Sequence, residues 1–209
     1  MSQDTSPFGP ELQKYWNRRY LYFKRFDEGI KTDAEGLYSV MPEDVSLEHA
    51  KLIRSEVVVD GFAGIGGSAI GFAREGKRVI AIDINSDRLE MARVNAGIYG
   101  VADSISFVND DFFEAAKKYA RGAAVNLDPP WGGPDYKAIE KFGLENFEPS
   151  GSRLLDYCSK LFEEIMFRVP ANFDMSQIED YGMPFNVHDD LLDGGLISKT
   201  AVIYPSRGR

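Results

Sequence analysis

The chain has 209 residues, 44% hydrophobic and 27% charged, enough for one domain with a substantial core and ordinary for a globular protein. Its formal net charge of −9 argues against a surface that grips long nucleic acid through many phosphates. A single cysteine, Cys158, excludes an internal disulfide, and His49 and His188 lack Cys or His partners at ligand spacing, so no metal site is expected.

No run approaches the roughly 18 apolar residues of a membrane span, and residues 1–10 have no signal-peptide core, which predicts a soluble nuclear or cytoplasmic protein that is not secreted. Residues 1–10 read as a disordered leader. From Glu11 onward, Tyr15, Trp16, Tyr20 and Phe23 recur close to helical spacing and predict one helix ending near Asp27-Glu28-Gly29. Between 14 and 31, the bases Lys14, Arg18, Arg19, Lys24, Arg25 and Lys31 outweigh Asp27 and Glu28 by +4, leaving −13 for the rest of the chain. Rings interleaved with cations suit a site that stacks a base and holds phosphate; a core-facing stripe with a charged outer face gives the same pattern. Residues 37–43 read as a short extended piece, with Pro42 opening a helix to about Leu52.

The first strong strand is 56–60, where Val57, Val58 and Val59 are β-branched and apolar as in a central parallel strand buried on both faces. The glycine-rich turn 61–67 follows Asp60 and leads into a helix to about Arg74. Strands are predicted at 78–82, ending on Asp83, and at 105–108, running into Asp110-Asp111-Phe112, with helices over 87–100 and 113–119. The run 123–125 is the fourth strand. Beyond it the expectation is a helix over 152–164, a strand over 165–169, a short helix over 175–181, and a closing antiparallel hairpin of 185–191 and 196–204 around Gly194-Gly195. Alternating strands and helices imply a mostly parallel, doubly wound α/β sheet with ligands at the carboxyl ends of its strands. Asp60, Asp83, Asp111 and Asp128 all follow such ends, and no linker divides the chain into two folding units.

The glycine turn alone is ambiguous. Its backbone must approach a ligand closely, but Gly64-x-Gly66-x-x-Ala69 also satisfies the relaxed dinucleotide fingerprint, with Asp83 near the distance of a ribose-binding acid. Against a nicotinamide or flavin protein, Asp60 puts a carboxylate where a pyrophosphate would come near. The loop after the fourth strand, Asn126-Leu127-Asp128-Pro129-Pro130-Trp131-Gly132-Gly133-Pro134-Asp135-Tyr136, has no task in hydride transfer. Its prolines fix φ and remove two backbone donors, so an acid and an indole are held in a stiff segment. Such a segment aims both at one ligand; a proline-rich turn whose Trp covers the core would look the same.

Taken in order, residues 60–67, Ile80-Ala81-Ile82-Asp83-Ile84, Asp111-Phe112 and Asp128-Pro129-Pro130-Trp131 resemble the motif set of class I S-adenosylmethionine-dependent methyltransferases, whose fold is Rossmann-like. Adding Lys14-Tyr15-Trp16, residues 25–31, residues 39–43 and residues 129–136, the chain is similar to the trimethylguanosine synthase family, which methylates guanine N2 of 7-methylguanosine RNA caps. The likeness covers nearly everything from Lys14 to Tyr204 and weakens after Tyr136. It implies an N-terminal helical extension over 11–52 that contributes to the substrate pocket and a methyltransferase domain over 53–209.

By this resemblance Asp60, Phe62, Ala63, Gly64 and Gly66 face the methionine part of the cofactor. Asp83 holds the ribose hydroxyls, with Ile84 beside it, and Asp111 with Phe112 frames the adenine. Ser39, Met41 and Pro42 close over the methionine end. The resemblance implies catalysis at Asp128, Pro129, Pro130 and Trp131, with Asp128 also near the cofactor. Trp131 stacks on the cap base, Lys14, Tyr136 and Lys199 meet the phosphate bridge, and Phe23 walls the pocket. The partner implied is the cap end of 7-methylguanosine-capped RNA rather than the RNA body, with no membrane; the sequence does not fix the oligomeric state, and a monomer is the default. Three positions depart from the family's usual pattern: Asp128 for Ser, Met41 for Thr, and Ala171 for an Arg after Pro170. Other readings stay open: an N2-guanine or N6-adenine methyltransferase on uncapped RNA or DNA, and a catalytically silent cap-binding module. Whether one or two methyl groups are added is also open.

Overall fold

The β-branched and apolar runs become the centre of a seven-stranded sheet in the computed structural model, which describes residues 5–205 apart from the side chains at 134, 135 and 137. The strands are β1 (Val57–Asp60), β2 (Arg78–Asp83), β3 (Ile105–Asn109), β4 (Ala123–Leu127), β5 (Ile165–Pro170), β6 (Phe185–Leu192) and β7 (Gly195–Ile203). Their order is β3-β2-β1-β4-β5-β7-β6, the first five mutually parallel and β7 antiparallel to both neighbours. This is the mostly parallel Rossmann-like sheet with a closing hairpin that the sequence predicts. Chain direction across the sheet reverses between β1 and β4, which makes their carboxyl ends the crevice where such folds bind ligands.

Side chains alternate faces along each strand, so neighbours in sequence enter different cores. Val58, Ala124, Met166 and Val202 join one cluster with the helices α4 (Glu43–Leu52), α5 (Gly67–Arg74) and α6 (Ser86–Ile98). Val59, Val125, Phe167 and Ile203 join the other, with α7 (Phe112–Tyr119) and α8 (Gly151–Cys158). Leu12, Tyr22, Phe23, Ile30 and Leu37 belong to the first cluster, so the N-terminal segment shares a core with the sheet. It is also stitched on by polar contacts: buried Asn95 of α6 bonds both backbone groups of Lys31 and the Ile65 carbonyl.

Three expectations for the N-terminal region need correction. Of the leader predicted over 1–10, residues 1–4 lie outside the described residues, but Ser6 is 6% exposed with its N–H on Gln13 Oε1, and Phe8 packs edge-on against Trp16. The single helix after Glu11 is broken into two turns, α1 (Gln13–Trp16) and α2 (Arg19–Tyr22). The Arg19 guanidinium folds back to the Trp16 carbonyl at 2.9 Å and stacks on Trp16 and Tyr20, while Trp16 packs edge-on against Phe26. Ring and cation packing among these residues outweighs continuation of a helix. Finally, the extended piece over 37–43 is mostly α3 (Ala34–Ser39), capped by Asp33, whose Oδ1 accepts from Gly36 N at 2.6 Å. The chain becomes extended only at Val40, and Pro42 caps α4 from outside its first turn. The helix predicted over 152–164 is α8 and ends earlier, and the short helix predicted over 175–181 is α9 (Ser176–Glu179).

Candidate active site

A cavity of about 1170 Å³ opens at the carboxyl ends of β1, β2, β4 and β5. It is larger than the roughly 300–1,000 Å³ of a pocket for one small ligand, so a nucleoside cofactor and a second nucleotide can share it. One half is built by the glycine turn. Asp83, at the end of β2, is fixed through both oxygens: Oδ2 accepts from Gly64 N at 2.7 Å and Oδ1 from Asn85 N at 2.8 Å. Asn85 then caps α6. Ile84 stands beside Asp83 at 77% exposure, an apolar side chain left bare at the cavity wall. Asp111 caps α7 through Oδ1, and Phe112 packs against Phe62 with centroids 5.3 Å apart. A Cβ added at Gly64, where φ is +52°, would meet nothing within 4 Å, so the loop leaves open space at that point.

Over this half lies the segment from Ser39 to Pro42, all four residues of which line the cavity. Arg88 on α6, itself in the cavity wall, anchors the start of α3 just before that segment, bridging Asp33 at 2.8 Å and Glu35 at 2.5 Å.

The other half is the stiff loop after β4. Asp128, Pro129, Pro130 and Trp131 all line the cavity, with Tyr136 packed edge-on against Trp131 at 5.1 Å. Burial pushes the Asp128 carboxyl up, opposed by Arg168, whose Nη1 donates to Oδ2 at 2.9 Å. The same guanidinium lies 4.7 Å from the Trp131 ring centroid. Tyr15, Arg18, Tyr22 and Tyr38 close the wall from the N-terminal segment. Burial, only partly offset by nearby Arg18, raises the Tyr22 phenol to about 12, so that wall presents a neutral hydroxyl at physiological pH. Among the described residues no group of three His, Cys, Asp or Glu side chains could hold a metal ion.

A profile of the RNA cap guanine-N2 methyltransferase family matches residues 55–193. The chain belongs to this family. It is 35% identical over 190 residues to the trimethylguanosine synthase of Schizosaccharomyces pombe, covering 86% of this chain and 79% of that protein. To the trimethylguanosine synthase of Saccharomyces cerevisiae it is 30% identical over 80% of this chain, and it spans 57% of that longer protein. The fold is shared with a crystal structure of a candidate methyltransferase from Porphyromonas gingivalis, with a TM-score of 0.73 and 15% identity over 100% of this chain and 55% of that one. Membership of this cap guanine-N2 methyltransferase family makes the protein an S-adenosylmethionine-dependent enzyme. The residues fit that cofactor: open space at Gly64, an anchored carboxylate at Asp83 and a bare apolar surface at Ile84 are what a nucleoside with a methionine tail requires.

Against the family's pattern, the structure gathers Ser39, Met41, Pro42, Phe62, Ala63, Gly64, Asp83, Ile84, Asp111, Phe112, Asp128, Pro129, Pro130, Trp131 and Tyr136 around one cavity. Five predicted residues are not in its wall. Asp60 is 1% exposed beneath the glycine turn, bound by Asn126 Nδ2 at 2.8 Å. Gly66 packs on α6, where an added Cβ would be 3.0 Å from Ala92 Cβ. Phe23, 2% exposed, is a core residue against Tyr99, Lys14 is exposed with its ammonium over Tyr15, and Lys199 is half-buried on β7 opposite Val169 and Asp189. Sequence reasoning did not assign Tyr15, Arg18, Tyr22, Tyr38, Arg88 or Asn126, and it considered Arg168 only as a base that could make up for Ala171 in holding phosphate, whereas its Nη1 is given to Asp128. Tyr15, Arg18 and Tyr22 recur at helical spacing in the ring-and-cation stretch, and Asn126 and Arg168 each interrupt an apolar strand. Those interruptions were the available signal.

Proposed function

We propose that the protein methylates the exocyclic N2 of 7-methylguanosine at the cap end of RNA, forming 2,7-dimethylguanosine. The observation that carries the reading is the meeting of the Asp83 glycine-turn half and the Asp128–Trp131 half in a single cavity. Asp83 takes the ribose hydroxyls, Ile84 and Phe112 enclose the adenine, and the turn at 62–64 with Ser39 to Pro42 brackets the methionine end. Bound there, S-adenosylmethionine supplies an electrophilic methyl group on its sulfonium.

The guanine N2 lone pair is delocalised into the ring, so the amine is a poor nucleophile and has to be oriented before it can react. The two prolines make the loop rigid enough to do this. Arg168 occupies Oδ2 of Asp128, which leaves Oδ1, or the Pro129 carbonyl, to accept a hydrogen of N2 as positive charge develops there. Trp131 selects the 7-methylated base because that ring is cationic, an attraction of roughly 0.5–2 kcal/mol. Tyr136 stands beside it for the phosphate bridge, while Lys14 and Lys199, outside the cavity wall, attract the phosphates only at longer range.

Transfer of labelled methyl from S-adenosylmethionine to 7-methylguanosine diphosphate is the expected activity, with guanosine diphosphate a far poorer acceptor. Trp131→Ala is expected to raise KM for the cap analogue by up to about 30-fold and leave S-adenosylhomocysteine binding unchanged. No transfer under conditions where S-adenosylhomocysteine binds would sink the reading.

A further inference from the structure

Arg168 is the polar break in β5, an otherwise apolar strand, and it is 7% exposed. A guanidinium so deep in a sheet is stable only with acceptors around it. Besides Asp128 at Nη1, its Nε donates to Ser198 Oγ at 2.9 Å and lies 3.9 Å from Asp190 Oδ2. Asp190 accepts from Ser198 at 2.6 Å and from Thr200 at 2.9 Å through Oδ2, and its Oδ1 meets His49 Nε2 of α4 at 2.7 Å. The indole that faces the cavity therefore has a buried cation against its ring, and that cation is flanked by two carboxylates.

A ring that already carries a guanidinium is a poor platform for a second cation. At the separations inside one pocket, Coulomb repulsion between the two charges is as large as the attraction of either to the π-system. Asp128 changes that balance, since its carboxylate sits on the guanidinium itself. We propose that the Asp128–Arg168 pair sets the charge selectivity of the Trp131 site, cancelling the guanidinium's field so that the ring accepts a purinium cation in preference to the neutral purine. The inference rests on Trp131 stacking the cap base. Whatever proton His49 holds opposite Asp190, a neutral side chain at 128 moves the cluster one unit towards positive.

The test is the ratio of dissociation constants for 7-methylguanosine diphosphate and guanosine diphosphate, measured by equilibrium dialysis with S-adenosylhomocysteine present. Contacts to the two phosphates cancel in that ratio. Asp128→Asn is expected to lower the preference for the methylated ligand by roughly fivefold to thirtyfold, mostly by weakening that ligand. The double variant Asp128→Asn with Arg168→Met removes both charges and is expected to regain most of the preference. An unchanged ratio in Asp128→Asn, with S-adenosylhomocysteine affinity at the wild-type level, overturns the proposal. So does a double variant as unselective as the single one. Should Asp128→Asn fail to fold, Asp128→Ser removes the same charge with Arg168 in place and decides instead: a lowered ratio supports the pair's role and an unchanged one refutes it. Wild-type protein that binds neither ligand, or both equally, removes the cap reading itself and the proposal with it, an outcome distinct from a selective wild type with a selective Asp128→Asn.

Discussion

Asp60 and Asn126 pair in register at the ends of β1 and β4, and each keeps one oxygen without a donor: Asp60 Oδ2 and Asn126 Oδ1 are buried and unpartnered. A proton on Asp60 Oδ2 would supply the missing donor. Burial pushes this carboxyl up to about 7, the charges of Asp128 and Asp83 adding to the effect and the Asn126 hydrogen bond opposing it. An unfolded-chain aspartate titrates near 3.9, so between about pH 4 and pH 7 the native state keeps a proton that the unfolded chain releases. Stability from this group is then greatest at low pH and declines as pH rises through that window. In Asp60→Asn the amide offers Asn126 the same donor without titrating. We expect this variant to melt at least about 3 °C above wild type at pH 8, the gap closing by pH 4; a constant gap across pH 4, 6 and 8 would contradict the account. Legibility at this scale was uneven for a physical reason. The sequence marks Asp60 as an acid at a strand end, but the pleat decides where such an acid points, and this one shares the face of Val58 and turns under the glycine loop. Arg168 was visible only as an oddity, because its partners Asp128, Ser198 and Asp190 come from three other segments.

The elements around the cavity fit through close approaches that glycine permits. A Cβ at Gly67 would sit 2.5 Å from Val40 Cγ2 and 3.0 Å from the Met41 carbonyl, so Gly67 is what lets the Ser39–Pro42 segment lie on the start of α5. Gly67→Ala should push that segment off the cofactor half, weakening S-adenosylhomocysteine about tenfold and costing about 1–3 kcal/mol of stability by overpacking. Gly97, near the end of α6, is the control: a Cβ there meets nothing within 4 Å. Gly97→Ala should leave cofactor affinity unchanged and raise stability by about 0.5–1 kcal/mol, as expected for a glycine removed from a helix. Isothermal titration and thermal melts on the two variants check both statements. The buried strands and α5 to α7 were legible because each carries a continuous apolar run or a regular period. The N-terminal elements were less so: Arg19 folding back on Trp16 breaks the first helix through local contacts, while α3 and the stretch before it depend on contacts far along the chain. Arg88 of α6 holds α3 through Asp33 and Glu35, and Asn95 holds the stretch before it.

In a molecule of net charge −9, the cations among the described residues that line the cavity are Arg18, Arg88 and Arg168. Two of the three already face carboxylates, Arg88 with Asp33 and Glu35 and Arg168 with Asp128. Three of the six bases in the stretch that the sequence singled out are spent on the protein itself: Lys24 pairs with Asp44, Arg25 with Glu28, and Arg19 stacks on its own aromatic neighbours. Composition made the acidic body legible, while the internal use of its bases depends on folding. An acidic surface with so few cations at the site should hold the end of an RNA and repel its body. Single-stranded RNA contributes about −0.7 to the slope of log K against log salt for each phosphate neutralised, so a cap held through one or two phosphates predicts a slope between about −0.7 and −1.4. Extending a capped dinucleotide to a capped 20-mer should then change affinity by less than about threefold, since each added phosphate meets repulsion instead of a cation. Titrations of both RNAs across a range of salt concentrations test this directly. A slope of about −4 or steeper for the 20-mer alone would reveal a basic track that this charge distribution does not provide, and would move recognition from the cap to the RNA body.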